Sequence, residues 1–227
     1  MGLTILTGLV GSHAYGLNHE GSDRDYLSVY VAPMDSILGL HSRAEQDSTV
    51  ISTDPDHTSH ELEKFCRLAL KGNPTVNELL WLDRYTWQTF DGQILVEMRE
   101  GFLSAKTVSA YRGYITGQIH KLTLQDGTPT ARFPKASKHV LRLCVQLVDL
   151  VAEGRITPRL APEAVQLINE AVADAVEADR PDYIEVVARN MLNRIDAELT
   201  AHPLVARPEP EFDRINQLVI DIRRQIA

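Results

Sequence analysis

Residues 8–31, GLVGSHAYGLNHEGSDRDYLSVYV, set glycine-containing turns ahead of two aspartates, Asp23 and Asp25, that are one residue apart. The run RDYLSVYVAP that carries Asp25 is rich in β-branched and aromatic residues and stops at Pro33, so it reads as a strand. Strand side chains at i and i+2 project from the same face, which points Asp23 and Asp25 in one direction. Two carboxylates so close repel one another unless a cation sits between them. Oxygen ligands of this kind suit Mg2+, which keeps several waters and takes the rest of its shell from substrate phosphates. A lone D-x-D also occurs on many surface strands and turns, so the residues before it carry the argument. Gly11-Ser12, Gly16 and Gly21-Ser22 let the backbone approach a ligand, and successive N–H groups together with the Ser12 hydroxyl can receive phosphate oxygens. The pattern G-x-x-x-x-G-K-[ST] is absent, which excludes a Walker phosphate loop.

Outward from this stretch, LTILTGLVG upstream reads as a short helix or a strand end, and DSTVISTDPDHTSH downstream as a pair of short strands around Asp54-Pro55. The spacing then predicts a helix in SHELEKFCRLALKG, with Leu62, Phe65, Leu68 and Ala69 on one face and Gly72 as its stop. NPTVNELLWL restarts with Asn73 as the cap and Pro74 in the first helical position. From about residue 101 the strand signals fade. LSAKTVSAYRGYITGQIHKLTLQ, PKASKHVLRLCVQLVDLVAEG, PEAVQLINEAVADAVE, YIEVVARNMLNRIDAEL and EFDRINQLVIDIRRQIA each repeat apolar residues at three and four spacing, and HPLVARPEPEF reads as a linker before the last of them. The expectation is an α+β protein: a sheet-containing domain over 1–100 and an all-helical domain over 101–227.

Composition narrows the function classes. With 44% hydrophobic and 24% charged residues over 227 positions the chain reads as globular, and no run approaches a membrane span. Cys66 and Cys144 lie in apolar helical patterns and read as buried free thiols of a cytoplasmic protein. A net charge of −8 argues against coating nucleic acid by bulk electrostatics. The charge is uneven: Lys plus Arg against Asp plus Glu is 7 to 15 in residues 1–100, 9 to 3 in 101–160, and 7 to 13 in 161–227. The positive middle segment is either a set of solvated helix faces or a wall that receives phosphates opposite the acidic cluster.

GSHAYG followed by GSDRDYLSVYV resembles the Gly-Ser and D-x-D signature of the DNA polymerase β-like nucleotidyltransferase superfamily. ELEKFCRLALKGNPTVNELLW and KASKHVLRLCVQLVDLVAEG resemble blocks of one branch, the RNA repair pathway DNA polymerase beta family, and the similarity spans roughly residues 5–160. The resemblance implies a small mixed-sheet palm flanked by helices, followed by a helical domain. It also implies transfer of a nucleoside monophosphate from an NTP to an acceptor hydroxyl, with two Mg2+ ions, or Mn2+ in their place, and release of pyrophosphate. An RNA end is the acceptor expected from the branch. A protein or small-molecule hydroxyl, or nucleotide binding without catalysis, are the alternatives. In the implied assignment Asp23 and Asp25 bridge the metals, and a third carboxylate on a neighbouring strand binds the ion at the acceptor. Asp56 occupies that position, with Asp54 and Glu61 as nearby competitors; Asp54 also reads as a turn residue before Pro55 and Glu61 as a charge in a first helical turn. Gly11 and Ser12 would hold the β and γ phosphates, with Ser22 a further candidate.

Lys138, His139 and Arg142 share helix faces at three and four spacing, so Lys138 and Arg142 read as a basic patch for triphosphate or acceptor phosphates, or as exposed charges on an amphipathic helix. Trp81, Tyr85, Trp87 and Tyr111 sit in or at the ends of apolar runs and read as core aromatics, with base stacking the other use such rings serve. His57 and His60 have no partners at zinc spacing.

Overall fold

The structure is a computed structural model that describes residues 2–38, 49–124, 127–198 and 207–226. Its sheet has five strands: β1 (Leu3–Val10), β2 (Asp25–Val31), β3 (Thr49–Thr53), β4 (Asp56–Glu61) and β5 (Trp87–Gln88), in the order β3-β4-β2-β1-β5. β2 and β4 are parallel, and the other neighbours are antiparallel. LTILTGLV is therefore a full strand, the centre of whose run, Ile5 and Leu6, is completely buried. Along β2 the alternation is strict: Leu27, Val29 and Val31 enter the core, and Ser28 faces the other way. The Ser28 hydroxyl is buried yet satisfied on both sides, 2.7 Å from Thr7 Oγ1 on β1 and 2.6 Å from His57 Nε2 on β4.

Two short helices, α1 (Gly11–Tyr15) and α2 (Met34–Leu38), follow β1 and β2. α3 (Leu62–Leu70) buries Leu62, Phe65, Cys66 and Ala69 against the apolar side of the sheet, with Leu68 partly buried beside them. The Asn73 side chain accepts from the Val76 N–H to start α4 (Pro74–Glu78), the cap expected from the sequence. α5 (Phe90–Glu97) was not legible as a separate helix. It is capped by Thr89, whose hydroxyl accepts from the Gly92 N–H, and it lies so close to β1 that a Cβ on Gly92 would stand 2.1 Å from the Ile5 carbonyl oxygen. Trp87 departs from the expected core position. It sits on the edge strand, 56% exposed, with its indole N–H donating to the Thr4 carbonyl.

The second core comprises α6 (Ala105–Ile119), α7 (Phe133–Glu153), α8 (Pro162–Glu177) and α9 (Pro181–Glu198). Val108, Tyr111, Ile115 and Ile119 face Val140, Cys144 and Leu147, and Ile168, Val172, Ile184 and Ala188 close the other side. The helical spacing read from sequence is thus the spacing that is buried. Both cysteines are free and buried. The apolar clusters change over between Phe102 and Leu103. α10 (Phe212–Ile226) returns to the first cluster, where Ile215, Leu218, Val219 and Ile222 are buried. Arg223 holds it there, donating to Glu61 at 2.8 Å and to Glu63 at 3.3 Å. Part of the expected linker, residues 202–206, lies outside the described residues. Among the described residues no helix is long and apolar enough to cross a membrane.

Because the obstacle at Gly92 is strand backbone, Gly92→Ala is expected to cost about 3 kcal/mol, the upper end of the range for overpacking. Urea unfolding followed by circular dichroism checks this.

Candidate active site

The sheet's connectivity brings the sequence motifs to one place. β1 runs antiparallel to β2, so its C-terminal end, Val10, lies opposite the first residue of β2, Asp25. β4 runs parallel to β2 with His57 opposite Tyr26, which sets Asp56 beside Asp25 at the same end. α1 starts at Gly11, directly after β1. Three strand termini and one helical turn therefore converge.

Glycine is required at position 11 twice over. Its φ is +69°, in the left-handed region, and a Cβ there would lie 2.1 Å from Asp25 Oδ2. The His13 ring donates from Nε2 to the Ser22 carbonyl at 3.1 Å, tying α1 to the segment that leads into Asp23. Ser22 is occupied by its own turn: its hydroxyl accepts from the His19 N–H at 2.9 Å, and its N–H donates to the His19 carbonyl at 3.0 Å. The Ser12 hydroxyl has no hydrogen-bond partner among the described residues, which leaves it available to a ligand.

Burial, and next the Asp56 carboxylate, hold Asp25 above the usual carboxylate range; Asp23 adds to this, while Lys135 and His13 oppose it. Of the three competitors for the third acid, Asp56 is the one whose charge Asp25 feels. Asp54 is an exposed turn residue, and Glu61 is committed to the α3 N-terminus and to Arg223. All donors in this group are carboxylate oxygens, the hard set that suits Mg2+. No three His, Cys, Asp or Glu side chains among the described residues close around a point that holds an ion.

The basic residues differ from the sequence expectation. Arg142 does not line the site as a phosphate ligand. It is 1% exposed and forms a buried ion pair with Glu78 of α4. Gln146 Oε1 accepts from it at 2.7 Å and His139 Nδ1 at 3.2 Å, and its guanidinium carbon lies 3.7 Å above the Tyr15 ring centroid. Lys138 is partly buried and forms no ion pair among the described residues. A cation that does act on Asp25 is Lys135, in the first turn of α7, a residue outside the sequence-based candidates. A signal was present. Lys135, His139, Arg142 and Gln146 follow a 4-3-4 spacing that marks one polar face of a helix, although the spacing does not say what that face meets; Tyr15 of α1 and Glu78 of α4 pack against Arg142. Tyr111, Tyr15 and Glu78 complete the buried polar group behind the site. Tyr111 is fully buried in the core as expected.

The chain belongs to the RNA repair pathway DNA polymerase beta family (RlaP), whose family model matches residues 3–221. The family is of the DNA polymerase beta-like nucleotidyltransferase type. Over 167 residues the chain is 26% identical to an uncharacterized 38.9 kDa protein encoded in the nrdC-mobD intergenic region of Enterobacteria phage T4. The alignment covers 69% of this chain and 49% of the phage protein, so the chain spans about half the length of that curated relative.

His139 gives this region a pH signature. Burial first, then Arg142 and Lys121, push its imidazole down to about 4, and Nδ1 accepts from a donor that never loses its proton. The folded state therefore binds fewer protons than the unfolded state, and its stability falls as pH drops from about 6.5 toward 4. His139→Gln is expected to remove that portion of the loss, so the urea midpoint of wild type relative to the variant should worsen between pH 7.5 and 4.5.

Proposed function

We propose that this family member transfers a nucleoside monophosphate from an NTP to an acceptor hydroxyl at an RNA end. The convergence of Asp23, Asp25 and Asp56 beside the Gly11-Ser12 turn, with Lys135 opposite, supports this reading above all. In it residues 1–100 form the palm and 101–227 supply the helical wall, with α10 docked back on the palm.

The donor set fits Mg2+, or Mn2+, held by Asp23, Asp25 and Asp56. An ion that takes part of its shell from substrate phosphates and waters does not need a closed protein cage. When bound, such ions offset the negative charge of the triphosphate and of the attacking oxygen. The chain's own residues do the rest. The Gly11 backbone and the Ser12 hydroxyl donate to β and γ phosphate oxygens, and Lys135 offsets their charge. Asp56, exposed at the start of β4, takes the proton of the acceptor hydroxyl. The oxygen so freed bonds to the α-phosphorus, the bond to the bridging oxygen breaks, and pyrophosphate carries away that electron pair.

The acceptor follows from charge. Residues 127–148 contain no acid, and Arg132 and Lys135 are exposed there with Lys138 half-buried beside them. Together with exposed Lys121 they form no ion pair among the described residues. A short basic stretch that includes Lys135, the lysine acting on Asp25, suits the backbone of a single strand whose last hydroxyl reaches the site.

Each of Asp23→Ala, Asp25→Ala and Asp56→Ala is expected to fold normally and to retain less than about 1% of transfer, beyond the 10–100-fold loss typical of residues behind a metal shell. Transfer from four α-labelled NTPs to pooled tRNA, short RNAs and the protein itself, with Mg2+ or Mn2+, measures this. Label only on protein would replace RNA as the acceptor. Arg132→Gln with Lys138→Gln is expected to lower the slope of log KM for RNA against log salt by about 1.4, roughly 0.7 for each lost single-strand phosphate contact.

A further inference from the structure

We propose that Tyr15, Glu78 and Arg142 are positioning residues that fix the distance between the two walls of the site, an inference that rests on the nucleotidyl-transfer reading above. α1 has five residues, too few to hold a conformation by itself, and Tyr15 is its one buried residue. Tyr15 is thus the buried anchor of the turn that presents Ser12, beside the tie of His13 to the Ser22 carbonyl. Its hydroxyl donates to Glu78 Oε2 at 2.7 Å, its ring lies beneath the Arg142 guanidinium, and its carbonyl accepts from the Leu160 N–H at 3.2 Å. Those partners belong to α4, to α7 and to the segment joining α7 to α8. Burial, with Glu78 next in effect, pushes the Tyr15 hydroxyl far up, so it remains a donor at every working pH.

The same pair sets the opposite wall. Arg142 and Lys135 lie on one face of α7, seven residues and about 10 Å apart along its axis. A rigid helix pinned to Glu78 at Arg142 therefore holds Lys135 at a fixed place over Asp25. Gln146, one turn further, extends the pinning by donating from Nε2 to the Thr157 carbonyl at 3.2 Å. One buried ion pair thus registers the phosphate turn and the lysine against the same carboxylate.

Arg142→Met leaves Glu78 buried without a counter-charge and is expected to unfold the chain, so the test uses Tyr15→Phe, which keeps the ring and removes one hydrogen bond. Ile168→Val, buried in the helical core on α8 and removing no hydrogen bond, is the control for a merely structural effect. Two quantities are read on the full chain: hydrogen exchange of the amides of residues 12–17, and KM and kcat with Mg2+ and an equimolar NTP mixture. Tyr15→Phe is expected to speed that exchange about tenfold and raise KM about tenfold with kcat within about twofold, the loss of one hydrogen bond to a charged group. Ile168→Val should change neither. Unchanged exchange in Tyr15→Phe, or raised exchange with unchanged KM in an active enzyme, overturns the positioning role. Wild-type protein that binds and turns over no nucleotide overturns the nucleotidyl-transfer reading and, with it, this proposal, a result distinct from failure of the positioning role alone.

Discussion

The buried contact between Arg142 and Glu78 holds the rest of the molecule in register. Each side chain is 1% exposed, and they come from helices on opposite sides of the boundary between the two apolar cores. Burying two charges costs several kcal/mol for each ion, offset only where geometry is good and further hydrogen bonds satisfy the remaining groups. Here Gln146, His139 and Tyr15 provide most of those bonds and the Tyr15 ring stacks on the guanidinium, while Arg142 Nε is buried without a partner. A slip of one helix turn would strand both charges, so the pair selects a single docking of α7 on the sheet-bearing half even where its net stabilisation is small.

That docking matters because the acidic end of the sheet is itself unfavourable. Asp25 is drawn from solvent and faces Asp56 and Asp23, so its ionised form is costly in the protein alone. The fold tolerates this because the apolar contacts lie elsewhere: Leu27 and Val29 on β2, Phe65 on α3 and Leu218 on α10 are buried further along the sheet. In the proposed function, substrate phosphates and their cations would complement such an end, beside the positive charge of Lys135 that already acts on Asp25.

How far the site was legible depended on the range of the interaction involved. The glycine turn, Asp25 and Asp56 sit within short, strongly patterned segments that the sheet's order brings together, whereas Asp23 lies ahead of β2 and not on the strand expected to carry it. Asn73 at its cap and the apolar faces of α6 to α9 were read from local spacing, because capping and helical periodicity involve residues three and four apart. Trp87 was misplaced for the opposite reason. Its apolar run reads as core, whereas its two-residue strand lies at the sheet edge. Arg142 was misassigned because its partner is 64 positions away, and nothing local distinguishes a cation that will be buried from one that will meet phosphate.

The sequence by itself determined the α+β class, most of the helices and, through its motif blocks, the family, since hydrophobic period, turn chemistry and the spacing of two aspartates are properties of contiguous residues. Tertiary structure alone decided which cations face the acids. Lys135, Lys138 and Arg142 lie within eight residues on one helix, and their different fates depend on how α7 rotates and docks against α1 and α4. That rotation is set by burial and charge pairing between segments distant in the chain, which no local pattern encodes.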